Sequence, residues 1–160
     1  MPKERPIIVK AFTVTPDTTV GDAIDLLQKH GVRCMPVVDA DRKLVGWFSF
    51  MQVFKFMLPA AVTMEGGLSH IDFAFDTAPG AAKRLGKLQD RTVAEVMLQD
   101  CPRLNADTPT WEMLRLLMQH GSPLPVVDAG SEHFLGIVSD QSVLESLEEV
   151  LKDLQAEGQV

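Results

Sequence analysis

Two long stretches of the chain carry the same order of apolar and polar positions. In each stretch, apolar residues spaced three and four apart predict an amphipathic helix. That helix ends at a histidine followed by a glycine, His30-Gly31 in the first stretch and His120-Gly121 in the second. Two short apolar runs and a second amphipathic segment follow in both. Most matching positions lie 90 residues apart, which indicates one supersecondary unit used twice.

The short apolar runs of each copy predict a pair of strands. They cover Cys34–Val38 and Lys43–Phe50 in the first copy, and Leu124–Val127 and His133–Val138 in the second. The first run of each pair lacks alternation, as expected for a strand covered on both faces. A strand is also predicted before the first helix of each copy, within Ile7–Val14 and at Cys101–Leu104. We therefore expect a mixed α+β fold of two β-α-β-β-α repeats, packed as a pseudo-two-fold pair.

Local signals place the ends of the first helix in each copy. We expect this helix to begin near Thr18 in the first copy. In the second copy, Thr108 suits the N-cap and Pro109 the first helical position. Gly31 and Gly121 follow the helices, where glycine adopts positive φ without steric cost. A histidine in the last turn opposes the helix dipole, so a structural role accounts for both histidines.

The last helix differs in length between the copies. In the first copy it opens at Phe50 and is stopped by Pro59. In the second copy it begins near Asp140 and is predicted to reach the 150s. This longer helix carries an apolar stripe at spacings of three and four, formed by Val143, Leu147, Val150 and Leu154.

These elements divide the chain into a first repeat at residues 1–58, an inter-repeat segment at 59–91 and a second repeat at 92–160. The inter-repeat segment is too apolar for a free linker, so we expect it to pack on the pair or cover a neighbouring chain. A capping box at Thr92–Glu95 predicts a short helix that reaches about Leu98.

Charge and composition exclude several classes of protein. The formal net charge is −7, which argues against nucleic acid binding because that needs clustered Lys and Arg. The nearest basic cluster is interpreted as a solvated helix face and consists of Lys83, Arg84, Lys87 and Arg91. No apolar run approaches the roughly 20 residues that cross a bilayer, and the N-terminus lacks the apolar core of a signal peptide. We expect a cytoplasmic protein with no membrane or nucleic acid partner.

Side chains with catalytic potential are scattered along the chain. Cys34 and Cys101 have neither CxxC spacing nor a histidine at ligand spacing, so we expect mostly buried thiols and no metal site. The sequence contains no glycine-rich phosphate loop and no nucleophile elbow. We therefore predict that the protein is not an enzyme.

The repeated order of motifs resembles the cystathionine-β-synthase (CBS) domain, here as a tandem pair called a Bateman module. The resemblance covers about Phe12–Met57 and Val93–Glu149. In the first copy it rests on Val14–Val20, on His30-Gly31 with Met35–Asp39, and on Gly46–Ser49. In the second copy it rests on Asp107–Pro109, on His120-Gly121 with Leu124–Asp128, and on Gly136–Ser139.

Membership of this family implies two clefts that take adenosine-containing ligands such as AMP, ADP, ATP or S-adenosylmethionine. It also implies pairing of modules into a flat homodimer. Proteins of this kind are regulatory rather than catalytic, and they pass the occupancy of the cleft to a regulated protein. No cofactor is implied apart from such a ligand.

The family's ligand motif is a glycine, two apolar residues, a threonine or serine, two variable residues and an aspartate. Its three defined positions fall on Gly46, Ser49 and Gln52 in the first copy and on Gly136, Ser139 and Ser142 in the second. In the family, the hydroxyl reaches a phosphate and the aspartate accepts from the ribose hydroxyls. Both hydroxyls are present here and both aspartates are replaced. Two hypotheses follow: an allosteric sensor of an adenosine nucleotide or S-adenosylmethionine, and a ligand-free dimerisation scaffold.

The resemblance also assigns apolar walls to the two clefts. Cys34, Met35 and Pro36 would contact the base in one cleft. Leu124 and Pro125 would do so in the other, and core packing is the alternative for all five. Thr13 and Cys101 complete the predicted set of ligand-binding residues.

Overall fold

The structure is a computed structural model that describes residues 7–58 and 78–159. Helices and strands are mixed throughout, which confirms the predicted fold class. In chain order the elements are α1 (Val20–His30), β1 (Cys34–Val38), β2 (Leu44–Ser49), α2 (Phe50–Met57), α3 (Ala78–Gln89), α4 (Val93–Val96), β3 (Leu104–Asn105), α5 (Thr110–His120), β4 (Leu124–Val127), β5 (Phe134–Val138) and α6 (Asp140–Ala156).

The described residues form two compact units. The first unit contains residues 13–39, 45–58 and 78–101, and the second contains residues 7–12, 40–44 and 102–159. Each unit therefore holds most of one copy together with the N-terminal segment of the other copy. The division of the chain after residues 58 and 91 stays a prediction, because it was made from the order of sequence motifs and its boundaries differ from those of the two compact units.

The first unit is organised around α1 and the buried strand β1. Thr19 caps α1, because its side-chain oxygen accepts a hydrogen bond from the Asp22 N–H, and Gly31 ends the helix with φ 66°. β1 pairs with β2, and four of its five residues are buried, as the lack of alternation predicts. The buried core consists of Val14, Val20, Ala23, Leu27, Met35, Val37, Phe48, Val53, Leu88, Val93 and Val96.

The second unit contains a three-stranded sheet in the order β3-β4-β5. β4 pairs in parallel with β3 and antiparallel with β5, with Leu124 opposite Val138. All four residues of β4 are buried, as expected for the central strand. The buried core of this unit consists of Leu104, Met113, Leu117, Leu124, Val126, Val138 and Val143.

Two predicted strands are shorter than expected. Within Ile7–Val14 the chain forms only isolated bridges, at Val9 and at Val14. The strand predicted at Cys101–Leu104 is only two residues long and lies at Leu104–Asn105, as β3. Both segments contribute one or two ladder positions instead of a full strand. Their apolar composition therefore reflects burial more than strand pairing.

The start of α5 is also shifted from its predicted place. Pro109 is the N-cap and the helix begins at Thr110, so the expectation of an N-cap at Thr108 is wrong. The Thr108 hydroxyl instead accepts a hydrogen bond from the Asn105 N–H at 3.0 Å. Pro109 has φ −62° and ψ 150°, so its backbone is extended and the helix starts one residue later than predicted.

A reciprocal pairing links the last strand of each copy to a distant segment. Val9 and Ile137 exchange two backbone hydrogen bonds of 2.9 Å within the second unit. Trp47 and Leu98 exchange two bonds of the same length within the first unit. In both cases the partner of the strand comes from the N-terminal part of the other copy, before α1 or α5. We call these two contacts the reciprocal bridges.

The inter-repeat segment ends in α3, which packs on the first unit through Leu85 and the buried Leu88. This confirms, for residues 78–91, the expectation that the segment is not a free linker; residues 59–77 lie outside the described part. α6 extends to Ala156 as predicted. Of its apolar stripe, Val143 is buried and Leu147 is exposed. Within the described ranges, every helix is too short or too polar to span a bilayer.

Candidate functional site

The first copy of the ligand motif lies where β2 ends and α2 begins. Ser49 is the N-cap of α2, and its Oγ accepts a hydrogen bond from the Gln52 N–H at 3.2 Å. The Gln52 side chain is half-buried, and its Nε2 donates to the Val96 carbonyl oxygen at 2.8 Å. This bond fixes the amide orientation, and Oε1 keeps its capacity to accept.

The second copy of the motif lies at the matching junction between β5 and α6. Ser139 Oγ accepts from the Ser142 N–H at 3.0 Å, and Ser142 Oγ accepts from the Ser139 N–H at 2.9 Å. The Ser142 hydroxyl also donates to the Ser139 carbonyl oxygen at 3.1 Å. Ser142 is only 6% exposed. The Ser142 hydroxyl therefore donates and accepts within the cap of α6, and burial limits access to its remaining lone pair.

The motif glycines lie directly beneath the reciprocal bridges. A Cβ atom added to Gly46 would come 2.5 Å from Met97 Sδ and 3.2 Å from the Leu98 carbonyl oxygen. A Cβ added to Gly136 would come 2.6 Å from the Val9 carbonyl oxygen. At Gly136 the Val9 backbone passes too close for any side chain, whereas at Gly46 the closest atoms belong to the flexible side chain of Met97.

The remaining predicted site residues divide between the two units. The first unit contains Thr13, Cys34, Met35, Pro36 and Cys101, and the second contains Leu124 and Pro125. Only Thr13 and Cys34 retain partial exposure. The buried Met35 and Leu124 are members of the two cores, so core packing accounts for them without a ligand. Their assignment to cleft walls stays a prediction.

Burial controls the chemistry of Cys34. Desolvation raises the pKa of its thiol from 9.0 to about 11, because a buried thiolate loses hydration. The neutral thiol is a poor nucleophile near pH 7. Neither Cys34 nor Cys101 forms a disulfide. Among the described residues, no three His, Cys, Asp or Glu side chains are grouped to hold a metal ion.

Several contacts at the motif could not be found in the sequence. The bond from Gln52 to Val96 joins residues 44 positions apart, and no local pattern marks it. The contacts of Val9 and Met97 with the motif glycines are equally long-range. The only available signal is the glycine itself, because an isolated glycine in a strand often marks a close backbone approach.

The model of the CBS domain family matches this chain twice, at residues 5–59 and 93–149. A segment of 43 residues is 44% identical to inosine-5'-monophosphate dehydrogenase of Aquifex aeolicus, which is 27% of this chain and 9% of that enzyme. The chain thus corresponds to a small part of that curated relative.

Solved structures share the fold over nearly the whole chain. CBSX2, a CBS-pair protein of Arabidopsis thaliana, is 23% identical with a TM-score of 0.67, over 94% of this chain and 93% of that one. A structure of CBSX2 in complex with AMP is similar at a TM-score of 0.62. The CbpB protein of Listeria monocytogenes in complex with c-di-AMP is 24% identical with a TM-score of 0.64, over 91% and 94% of the two chains.

The two family matches agree with the repeated order of elements and with the two equivalent motif junctions. Together they cover more than half of the chain. The chain therefore belongs to the CBS domain family and is a CBS-pair regulatory module.

Proposed function

We propose that this protein senses an adenosine-containing nucleotide or S-adenosylmethionine and signals its presence to a partner protein. The observation that carries the proposal is the placement of Ser49 and Ser139, each of which begins a helix at the family's hydroxyl position. A helix N-terminus presents backbone N–H groups and a positive dipole end, which together favour a phosphate. Each serine oxygen accepts within the cap, so its O–H can still donate to an anion.

The two copies offer unequal support for a ribose. Gln52 keeps an acceptor oxygen at the aspartate position of the first copy, whereas the buried Ser142 uses its hydroxyl inside the cap of α6. A neutral acceptor gives a weaker bond than a carboxylate, by roughly 1 kcal/mol. We therefore propose the first copy as the tighter site, with affinity about tenfold below that expected with an aspartate.

Two structural relatives bind nucleotides that contain adenine, AMP for CBSX2 and c-di-AMP for CbpB. These ligands support an adenosine-containing ligand as the class to test. They do not choose between a mononucleotide and a larger molecule. The ligand panel must therefore include AMP, ADP, ATP, c-di-AMP and S-adenosylmethionine.

Calorimetric titration tests the proposal on protein stripped of any molecule it carries after purification. We expect micromolar binding of one member of the panel, weakened about tenfold or more in Ser49→Ala. Thr19→Ala is the matched control, because Thr19 also caps a helix of the first unit, α1, but lies outside the motif. It should lose similar stability and keep its affinity. Equal loss of affinity in the two variants would contradict the motif as the site.

The second candidate is a dimerisation scaffold that binds no ligand. It is favoured by the missing aspartates and by the internal use of Ser142. In both candidate functions the protein acts by contacting another chain, and both include formation of a homodimer. No heat across the panel from folded, stripped protein would favour the scaffold. Absence of catalysis and a cytoplasmic location stay predictions under either function.

A further inference from the structure

A pocket of about 280 Å³ opens on the first unit, and none of its described lining residues belongs to the ligand motif. It is formed where the end of α2 meets the second half of α3. Its lining consists of Phe56, Arg84, Lys87, Leu88 and Arg91. Three of these five residues carry a positive charge in a protein whose net charge is −7. The basic cluster read from the sequence as a solvated helix face thus partly surrounds a concave site.

The three cations converge because of their spacing. Arg84 and Lys87 lie three residues apart on α3, which places them on one side of the helix, and Arg91 follows two residues after the helix ends at Gln89 and lines the same pocket. Lys83 belongs to the same helix but does not line the pocket. The positive charges of this region are therefore concentrated on the side that faces the pocket.

The arginines are partly fixed by bonds outside the pocket. Arg84 Nε donates to the Met57 carbonyl oxygen at the end of α2, which leaves the other guanidinium N–H groups for a second acceptor. Arg91 lies 3.7 Å from Glu95 in an exposed ion pair. Such pairs contribute little free energy. Glu95 also accepts from the Thr92 N–H at 3.0 Å, so its charge is shared with the capping box.

The rest of the lining is apolar. Leu88 is buried, and Phe56 is 42% exposed among the described residues. Of the described residues that line this pocket, none is acidic. Guanidinium and ammonium groups around a phenyl ring fit a ligand that combines an anion with a planar or apolar group.

We propose that this pocket is a second binding site, for a small phosphorylated metabolite with one planar or apolar group. The cations would hold the phosphate while Phe56 and Leu88 contact the apolar part. The volume lies near the lower end of the range for ligand sites, about 300–1,000 Å³. It therefore suits a compound with a single ring system better than a dinucleotide. The proposal goes beyond the sensing function above and does not depend on it.

Nuclear magnetic resonance titration tests this site with phenyl phosphate and inorganic phosphate as probes. We expect both to shift backbone amides around Arg84–Arg91, with phenyl phosphate binding more tightly. Lys87→Gln should weaken phenyl phosphate about five- to tenfold, because it removes one charge-assisted contact. Lys83→Gln, the matched control on the same helix, should change the affinity less than about twofold.

Two further variants separate the parts of the site. Phe56→Leu should weaken phenyl phosphate and leave inorganic phosphate unchanged, and Phe54→Leu on the same helix should affect neither. The amide shifts around Arg84–Arg91 should saturate independently of any shifts around Ser49, which distinguishes this site from the motif. Equal effects of Lys83→Gln and Lys87→Gln would overturn the proposal in favour of diffuse charge. Binding of a hexaglutamate peptide without any response to phenyl phosphate would overturn it in favour of an acidic protein partner.

Discussion

Gln52 and Ser142 occupy equivalent positions in the two copies and make different hydrogen bonds. Gln52 donates across the first unit to Val96, whereas Ser142 bonds only to Ser139 one turn away. The sequence shows that both aspartates are absent. It does not show that one replacement is held by a long-range bond and the other is used in a helix cap. At this scale, residue type predicts the candidate positions, and the fold determines which hydrogen-bonding groups remain available for a ligand at each position.

Cys34 gives a prediction about pH. The neutral thiol is favoured by burial, so its pKa lies at about 11 in the folded protein against 9.0 when unperturbed. Deprotonation is needed for alkylation, so the rate with iodoacetamide should rise about tenfold per pH unit from pH 8 and level off only near pH 11. Mass spectrometry of the Cys34 peptide measures this rate. In urea the same peptide should level off near pH 9; a midpoint near 9 in the folded protein would show that Cys34 is not desolvated.

At the scale of elements, periodicity and caps predicted most of the fold. α1 has the expected buried face and α6 the expected length, and β1 and β4 are buried as their uninterrupted apolar runs indicated. The errors lie where a distant contact replaces a local pattern. The segment around Val9 is apolar because it covers the second unit, although only one of its residues pairs with a strand. Pairing of this kind has no signature within a short window.

The motif glycines provide a matched set of substitutions. Gly136→Ala would place a methyl group 2.6 Å from a backbone oxygen of Val9, and Gly46→Ala would place one against the Met97 side chain. We expect both to lower the free energy of unfolding by about 1–3 kcal/mol, with the larger loss at Gly136 because backbone moves less readily than methionine. Urea denaturation measures the change.

Gly86→Ala is the control for these variants. Gly86 lies inside α3, and a Cβ there would meet nothing within 4 Å. Alanine should therefore raise the free energy of unfolding by about 0.5–1 kcal/mol. If Gly136→Ala proved as stable as the wild type, the Val9 segment would not lie against the motif in solution.

At the scale of the whole molecule, apolar side chains remain exposed on the last helix of each copy. On α2 and its C-cap they include Met51, Phe54 and Leu58, and on α6 they are Leu144, Leu147 and Leu151. Both sets have the spacing of a single helical face. The family resemblance implies a homodimer, and these faces are where we propose that the second chain binds. On α6, the pattern of apolar residues did not predict that Val143 is buried whereas Leu144, Leu147 and Leu151 are exposed.

Phe54→Glu tests the homodimer proposal. A carboxylate placed in an apolar interface loses hydration without gaining a partner, so we expect the dimer to weaken roughly a hundredfold. Sedimentation velocity over a range of concentrations measures the dissociation constant. Lys55→Glu, on the neighbouring exposed position, is the control and should remain dimeric. A wild-type protein that sediments as a monomer at all concentrations would remove the homodimer from both proposed functions.

The reciprocal bridges bear on how the chain can be divided. Val9 belongs to the first copy, before α1, and pairs in the second unit, whereas Leu98 belongs to the second copy, before α5, and pairs in the first unit. A single cut between the copies would therefore leave each fragment without the short strand that covers its motif glycine. Each fragment would expose an open sheet edge that invites pairing with another chain. If two such fragments were mixed, each would have to supply its N-terminal segment to the other before both bridges could form. We therefore expect that neither copy folds completely without the other.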